Sequence, residues 1–179
     1  MKKVLIITTS LRPGSNSELL AQEFARGAES AGHQVELLSL VGKQIAFCRG
    51  CLACQKLGRC VMTDDAQTIA DKVKEAEVVV FATPVYYYGM SGQMKTLLDR
   101  MNCLYPADYA FRDIYLIGSA ADDADTALDR TVCGLEGWIE CFEKCRLAGV
   151  VKGAGNEAAG DVRGKAVQLE TARAMGAAV

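Results

Sequence analysis

Five short runs of apolar, mostly β-branched residues recur along the chain: Lys3–Thr9 (KVLIITT), Gln34–Leu40 (QVELLSL), Val78–Ala82 (VVVFA), Ile114–Ala120 (IYLIGSA) and Val150–Gly153 (VVKG). Several lack the alternation expected of a strand with one wet face, so they read as strands buried on both sides. Between them, apolar residues return at helical spacing. Leu19, Leu20, Phe24 and Ala28 lead to a stop at Gly32, and Ile69, Val73 and Ala76 follow the N-cap signal Thr63-Asp64-Asp65. Gln93–Met101 is amphipathic, a long helix is predicted over Ala124–Leu147, and a closing helix over Lys165–Met175. Strands alternating with helices predict an α/β fold, a doubly wound parallel sheet with helices on both faces. No repeat, linker or low-complexity stretch divides the 179 residues, so a single domain over 1–179 is expected.

Charge and cysteine usage narrow the function. Formal net charge is −2 with no block of like charges, so neither nucleic acid nor an anionic membrane is an expected partner. The apolar run behind Lys2-Lys3 gives way at once to Thr-Thr-Ser, too short for a signal-peptide core or a membrane span, and a cytoplasmic protein is expected. In that setting the eight cysteines are expected to be reduced thiols or metal ligands rather than a disulfide framework. The single histidine, His33, falls in a turn at the amino end of the second strand, where a solvated residue is expected and a catalytic base is not.

In a doubly wound sheet, ligands bind beyond the carboxyl ends of the strands. The segments to inspect are therefore Ser10–Ser17, Thr83–Gly92 and Ser119–Asp123, each of which follows a predicted strand. The first, SLRPGSNS, offers the hydroxyls of Ser10, Ser15 and Ser17, the amide of Asn16 and the guanidinium of Arg12 at a helix N-terminus. Unpaired N–H groups and the helix dipole suit a phosphate there, although the same residue types also serve as plain turn and capping residues. Neither G-x-x-x-x-G-K-[ST] nor G-x-G-x-x-G occurs at this position, and the loop has no cysteine for phosphatase chemistry.

The second segment, TPVYYYGMSGQMKTLLDR, has a predicted turn at Thr83-Pro84, three consecutive tyrosines and Gly89. Its flat aromatic and backbone surfaces suit a planar heterocycle, and exposed aromatics also suit a dimer contact. Asp99 and Arg100 read as helix residues making local ion pairs. A further stretch, CRGCLACQKLGRC, spaces Cys48, Cys51, Cys54 and Cys60 as C-x2-C-x2-C-x5-C between the second strand and a capped helix, near the sheet's carboxyl edge. Four compact thiolates match the ligand count of a [4Fe–4S] cluster. Zinc sites pair two knuckles over a longer separation, and C-x-x-C units also serve as redox thiols. All three readings stay open. Cys141 and Cys145 are expected one helical turn apart on one face.

Taken together, SLRPGSNS, the cysteine segment with Asp64-Asp65, and ATPVYYYGMSGQMKTLLDR resemble, in order, the flavodoxin-like NAD(P)H-dependent FMN reductase family, including the iron–sulfur flavoproteins. The resemblance covers roughly the first hundred residues, and TTSLRPGS departs from the glycine-serine-proline turn of many members. It implies five parallel strands in the order 2-1-3-4-5 and FMN at their carboxyl ends. Ser10, Arg12, Ser15, Asn16 and Ser17 would hold the phosphate; Pro84, Val85, Tyr86, Tyr87, Tyr88 and Gly89 would lie against the isoalloxazine, with Ser119, Ala120 and Ala121 on its other side. The implied activity is an FMN-dependent oxidoreductase using NAD(P)H as co-substrate and passing electrons to a small-molecule or protein acceptor. Its alternative is a [4Fe–4S] cluster on Cys48, Cys51, Cys54 and Cys60 relaying electrons between FMN and a ferredoxin-like partner. A homodimer or homotetramer is expected, and residues 103–113 with Tyr86–Tyr88 are expected to shape the second substrate's pocket. No catalytic acid or base is assigned.

Overall fold

A computed structural model describes all of residues 1–179. Five parallel strands form the sheet: β1 (Lys3–Thr8), β2 (Gln34–Ser39), β3 (Val78–Tyr86), β5 (Asp113–Ser119) and β6 (Arg146–Gly153). Their order is β2-β1-β3-β5-β6, with the two-residue β4 (Gly89–Met90) folded back antiparallel on β3. Without that hairpin arm the parallel strands run 2-1-3-4-5, the expected flavodoxin-like order.

The continuous apolar runs have a direct physical cause. Successive strand side chains point to opposite faces, and here both faces are covered. Val78, Val80 and Ala82 of β3 enter one core, while Val79 and Phe81 enter the other. The first core lies under α1 (Asn16–Ser30) and α6 (Ala166–Ala177). The second lies under α3 (Asp65–Glu75), α4 (Gly92–Arg100) and α5 (Asp129–Ile139). A short helix, α2 (Ala53–Leu57), carries Cys54 outside these layers.

Four expectations change. The strand β3 does not end at Thr83-Pro84 but runs on to Tyr86. Beyond Ala82 the partner β1 has already ended, so the missing N–H of Pro84 costs no ladder bond, and the residue before proline favours extended angles anyway. The helix placed at Ala124–Leu147 covers only 129–139, because Asp122 Oδ1 accepts from Ala124 N in a turn and the chain leaves the helix through turns after Ile139. Cys141 and Cys145 are therefore not stacked on one helix face. Within 103–113, Cys103, Leu104, Tyr109 and Phe111 are buried in the second core, where Tyr109 stacks on Phe111 at 4.2 Å between ring centroids, while the exposed Tyr105 lines an open groove with Trp138 and Phe142 that Tyr86–Tyr88 do not line. His33 is half-buried and tied in, its Nδ1 accepting from Lys2 N at 3.0 Å, rather than solvated.

Candidate functional site

Residues after β1, β3, β5 and β6 meet in one cleft of about 220 Å³ at the carboxyl edge. From the first loop it takes Ser10, Arg12, Ser15, Asn16 and Ser17. Pro84, Val85 and Tyr86 come from the end of β3, and Ser119 and Ala121 from the end of β5. Tyr87, Tyr88, Gly89 and Ala120, expected in the same set, do not line it. Asn156 and Glu157 do, and the sequence reading left them out. Their only sequence signal is position, since a polar loop directly follows the last strand.

Each first-loop side chain has a traceable role. Ser15 is the N-cap of α1, its Oγ accepting from Glu18 N at 3.3 Å. The amide of Asn16 is committed at both ends: Nδ2 donates to Ala158 O at 2.8 Å, and Oδ1 accepts from Val162 N at 3.1 Å. What Asn16 offers a ligand is its main-chain N–H, one of the donors that the first turn of a helix leaves unpaired. Arg12 stays at the surface, with Nη1 donating to Glu157 O at 3.2 Å. Ser10 Oγ accepts from Arg12 N.

Four buried side-chain polar atoms have no hydrogen-bond partner: Thr8 Oγ1, Ser17 Oγ, Asn156 Oδ1 and Arg100 Nε. Two of them, Ser17 Oγ and Asn156 Oδ1, belong to residues lining the cleft. Buried polar groups are nearly always satisfied, and these two atoms are left free to bond a polar group that enters the cleft.

On the opposite side of the cleft, β3 and β4 make a hairpin with Tyr86 paired to Gly89. Its two turn residues, Tyr87 and Tyr88, both have left-handed angles, φ 50° and 63°. Two-residue hairpins require this geometry and normally fill it with Asn or Gly. Tyr88 is fastened there, its Oη donating to Asp122 Oδ2 at 2.9 Å and its carbonyl accepting from Thr131 Oγ1 at 3.1 Å. That phenol bond raises the Tyr88 hydroxyl above its ordinary range; the Ala124 N–H, then the Tyr88 phenol, hold Asp122 below the usual carboxylate range. Tyr87 is fully exposed. The base of the hairpin is pinned by buried hydroxyls: Thr9 Oγ1 bonds Ala82 O and Ser91 Oγ, and Ser91 N donates to Thr83 Oγ1, all at 3.0 Å.

The cysteine segment leaves the carboxyl end of β2, returns to the N-cap of α3 as expected, and packs its sulfurs against the last turn of α4 and the residues after it. Cys48, Cys51, Cys54 and Cys60, all free thiols, line a single small cavity of about 30 Å³ together with Arg100 and Asn102. Three of these sulfurs accept hydrogen bonds: Cys48 from Gly50 N at 3.5 Å, Cys54 from Asn102 Nδ2 at 3.4 Å, and Cys60 from Arg100 Nη2 at 3.4 Å. Left-handed turns at Gly50, Leu52 and Gly58 wrap the chain around the cavity. No three His, Cys, Asp or Glu side chains are drawn together tightly enough for a single metal ion.

Beneath the cavity, Arg100 makes a long-range ion pair, not the local one expected. Nη1 and Nη2 form a fork on Asp64 at 2.6 and 2.9 Å, and Asp64 caps α3 through Ala66 N. Asp99 does pair locally, with Lys95 at 2.6 Å. Burial pushes the Asp64 carboxyl up, but the Arg100 guanidinium and the N–H groups of Ala46 and Ala66 outweigh it and hold the group below the usual carboxylate range.

These features meet known proteins at several levels. An iron–sulfur flavoprotein of Methanocaldococcus jannaschii is 39% identical over 98 residues, 55% of this chain and 51% of the relative. One from Methanosarcina thermophila is 25% identical over 138 residues, covering 76% and 72%. The chain spans about half the length of four of the iron–sulfur flavoproteins it matches. Among solved structures, an NAD(P)H:quinone oxidoreductase from Methanothermobacter marburgensis superposes with a TM-score of 0.75 over 98% of this chain and 94% of its own, at 16% identity, which speaks for the fold alone. The family model for NADPH-dependent FMN reductases matches residues 2–128, a stretch that holds β1, β3, both their loops and the cysteine segment. With the sheet order and the cleft at its carboxyl edge agreeing, the chain belongs to the NADPH-dependent FMN reductase family.

Proposed function

We propose that this chain is an FMN-dependent oxidoreductase that draws on NAD(P)H and passes electrons to an acceptor outside the cleft. The observation that carries the reading is the pair of unpartnered buried atoms, Ser17 Oγ and Asn156 Oδ1, in a cleft that also opens onto the N-terminus of α1. A donor hydroxyl beside free helical N–H groups fits a phosphate monoester. Asn156 Oδ1 fits a hydroxyl donor farther along a ribityl chain. Val85 and Tyr86 present backbone and aromatic surface to a flat ring, and the Thr9–Ser91–Thr83 hydroxyls hold that surface still. The chemistry that bound FMN supplies is two-electron reduction by a nicotinamide and release of electrons singly or in pairs. The chain's own part is to anchor, orient and shield the ring.

A second centre is supported by the cysteine cavity. Four cysteine thiols around one space, three of them already accepting N–H donors, match the ligand count of a [4Fe–4S] cluster. Cys48, Cys51, Cys54 and Cys60 would be its ligands, and its place along α4 suits relay to a protein acceptor rather than contact with the nicotinamide.

Purification without oxygen, an absorption spectrum, and iron and sulfide analysis test both centres. Flavin with about four irons per chain is expected. Flavin without iron would leave a plain FMN reductase and remove the relay. Failure of both NADH and NADPH to bleach the bound flavin anaerobically would overturn the donor assignment.

A further inference from the structure

We infer that Arg100 is a positioning residue for the cysteine-held centre, closing the loop that carries the thiolates and setting the centre's reduction potential through the sulfur of Cys60. This rests on the cluster reading above. Arg100 is fully buried and reaches three groups through four hydrogen bonds. Its fork grips Asp64, Nη1 also donates to Ala46 O at 2.7 Å, and Nη2 also donates to Cys60 Sγ. Asp64 answers on the same segment, its Oδ2 accepting from Ala46 N at 3.0 Å. The chain is thus tied just before Cys48 and again at Cys60, with all four cysteines on the excursion between. Gln44 and Asp65 also pair across the base of the loop and Cys60 N donates to Gln67 Oε1, so Arg100 is one of several ties and the one whose side chain reaches the Cys60 sulfur.

The second observation is the unpartnered Nε of Arg100. Arg100 contributes to the cavity wall, and this N–H is a buried donor with nothing to donate to. Leaving such a donor unmet is costly. A cluster held by Cys48, Cys51, Cys54 and Cys60 would bring sulfur acceptors to the wall that Arg100 helps to line. Electrostatics then follows from charge. Reducing a thiolate-held cluster adds one negative charge, supplied by an external one-electron donor, and a guanidinium in contact with a ligand sulfur stabilises the added charge more than the oxidised state. Hydrogen bonds to the sulfurs are a recognised means of tuning cluster potentials. The carboxylate of Asp64 opposes the effect, so the two partners should shift the potential in opposite directions.

The test is a redox titration of the holoprotein, purified without oxygen, with iron content measured on the same samples. Arg100→Gln is expected to lower the reduced-to-oxidised ratio at a fixed solution potential about tenfold, which is ~59 mV for a one-electron couple. Asp64→Asn is expected to raise it. Because breaking a buried pair can unfold the region, the Arg100→Gln/Asp64→Asn double variant, which keeps amides in both places, is titrated as well. Its potential should fall below that of the wild type, since the charged donor to Cys60 is gone. Potentials unchanged in the iron-bearing fraction of all three variants, even with iron content reduced, would make Arg100 a structural residue only and overturn the inference. Wild-type protein without iron would overturn the cluster reading itself, and the inference with it.

Discussion

At the scale of single residues, unsatisfied atoms say more than satisfied ones. Ser17 Oγ makes no bond inside the protein, so Ser17→Ala removes nothing from the fold and relieves a buried hydroxyl. We expect the flavin-free protein to keep or slightly raise its melting temperature. A hydrogen bond to a charged phosphate is worth about 1.5–3 kcal/mol, so FMN affinity should fall roughly 10- to 150-fold in a fluorescence titration. Equal affinity in Ser17→Ala and wild type would remove the phosphate from this loop. The pH dependence belongs to Asp64. Its folded pKa lies below the unfolded value of about 3.9, so its contribution to stability is fully present above that value and is lost as pH falls through the folded pKa. Urea unfolding from pH 7 down to pH 3 should show the wild type losing stability at the acid end. Asp64→Asn should start about 3–5 kcal/mol lower at pH 7, with Arg100 left unpaired, and have a flatter acid limb. Ser17 could be found in the sequence because a hydroxyl two residues inside a strand–loop–helix junction is a local pattern. The Arg100–Asp64 fork could not, because its partners lie 36 residues apart and only tertiary packing joins them.

At the scale of elements, the β3–β4 hairpin holds a contradiction. Its turn demands two left-handed residues, and the chain supplies two tyrosines. Each non-glycine residue in that region costs about 1–2 kcal/mol. Tyr88 has compensation from Asp122 and Thr131, and Tyr87, fully exposed, has none within the monomer. Tyr87→Asn should therefore raise the stability of the isolated chain by up to about 1 kcal/mol, read by urea denaturation. A loss of stability would mean that the ring of Tyr87 is packed against something in solution. The sequence reading placed a proline turn at Thr83-Pro84 because proline usually punctuates strands. The structure puts the turn four residues later, since the end of β1 frees Pro84 from any need to donate. Local propensity located the loop; only strand pairing located its bend, and with it the reason that Tyr86 lines the cleft while Tyr87 and Tyr88 do not.

At the scale of the whole molecule, the part of the chain that is easiest to recognise completes neither the sheet nor the cleft. The two-sided burial and three of the cleft's four loops are legible in the first 128 residues, where short motifs sit at strand ends, and the strand order is what the resemblance of those motifs implies. The remainder carries no such motif, yet it supplies β6, α6 and the Asn156 wall. The helix α6 lies directly on α1, whose N-terminus faces the cleft. The contact is so close that a Cβ on Gly176 would stand 2.0 Å from Phe24 O, and one on Gly27 would stand 2.0 Å from Arg173 O. Small residues at these two positions let the backbones touch, and the first core closes over Phe24 and Ala172. Gly176→Ala should force the helices apart and destabilise the protein by about 1–3 kcal/mol or more, as overpacking of a tight core does. Since Asn16 ties the start of α1 to the loop ahead of α6 through Ala158 and Val162, the same substitution should weaken FMN binding although residue 176 lies outside the cleft. Thermal unfolding of the flavin-free form and an FMN titration below its melting temperature separate the two effects. Lower stability with unchanged affinity would show that α6 braces the core without setting the geometry of the cleft.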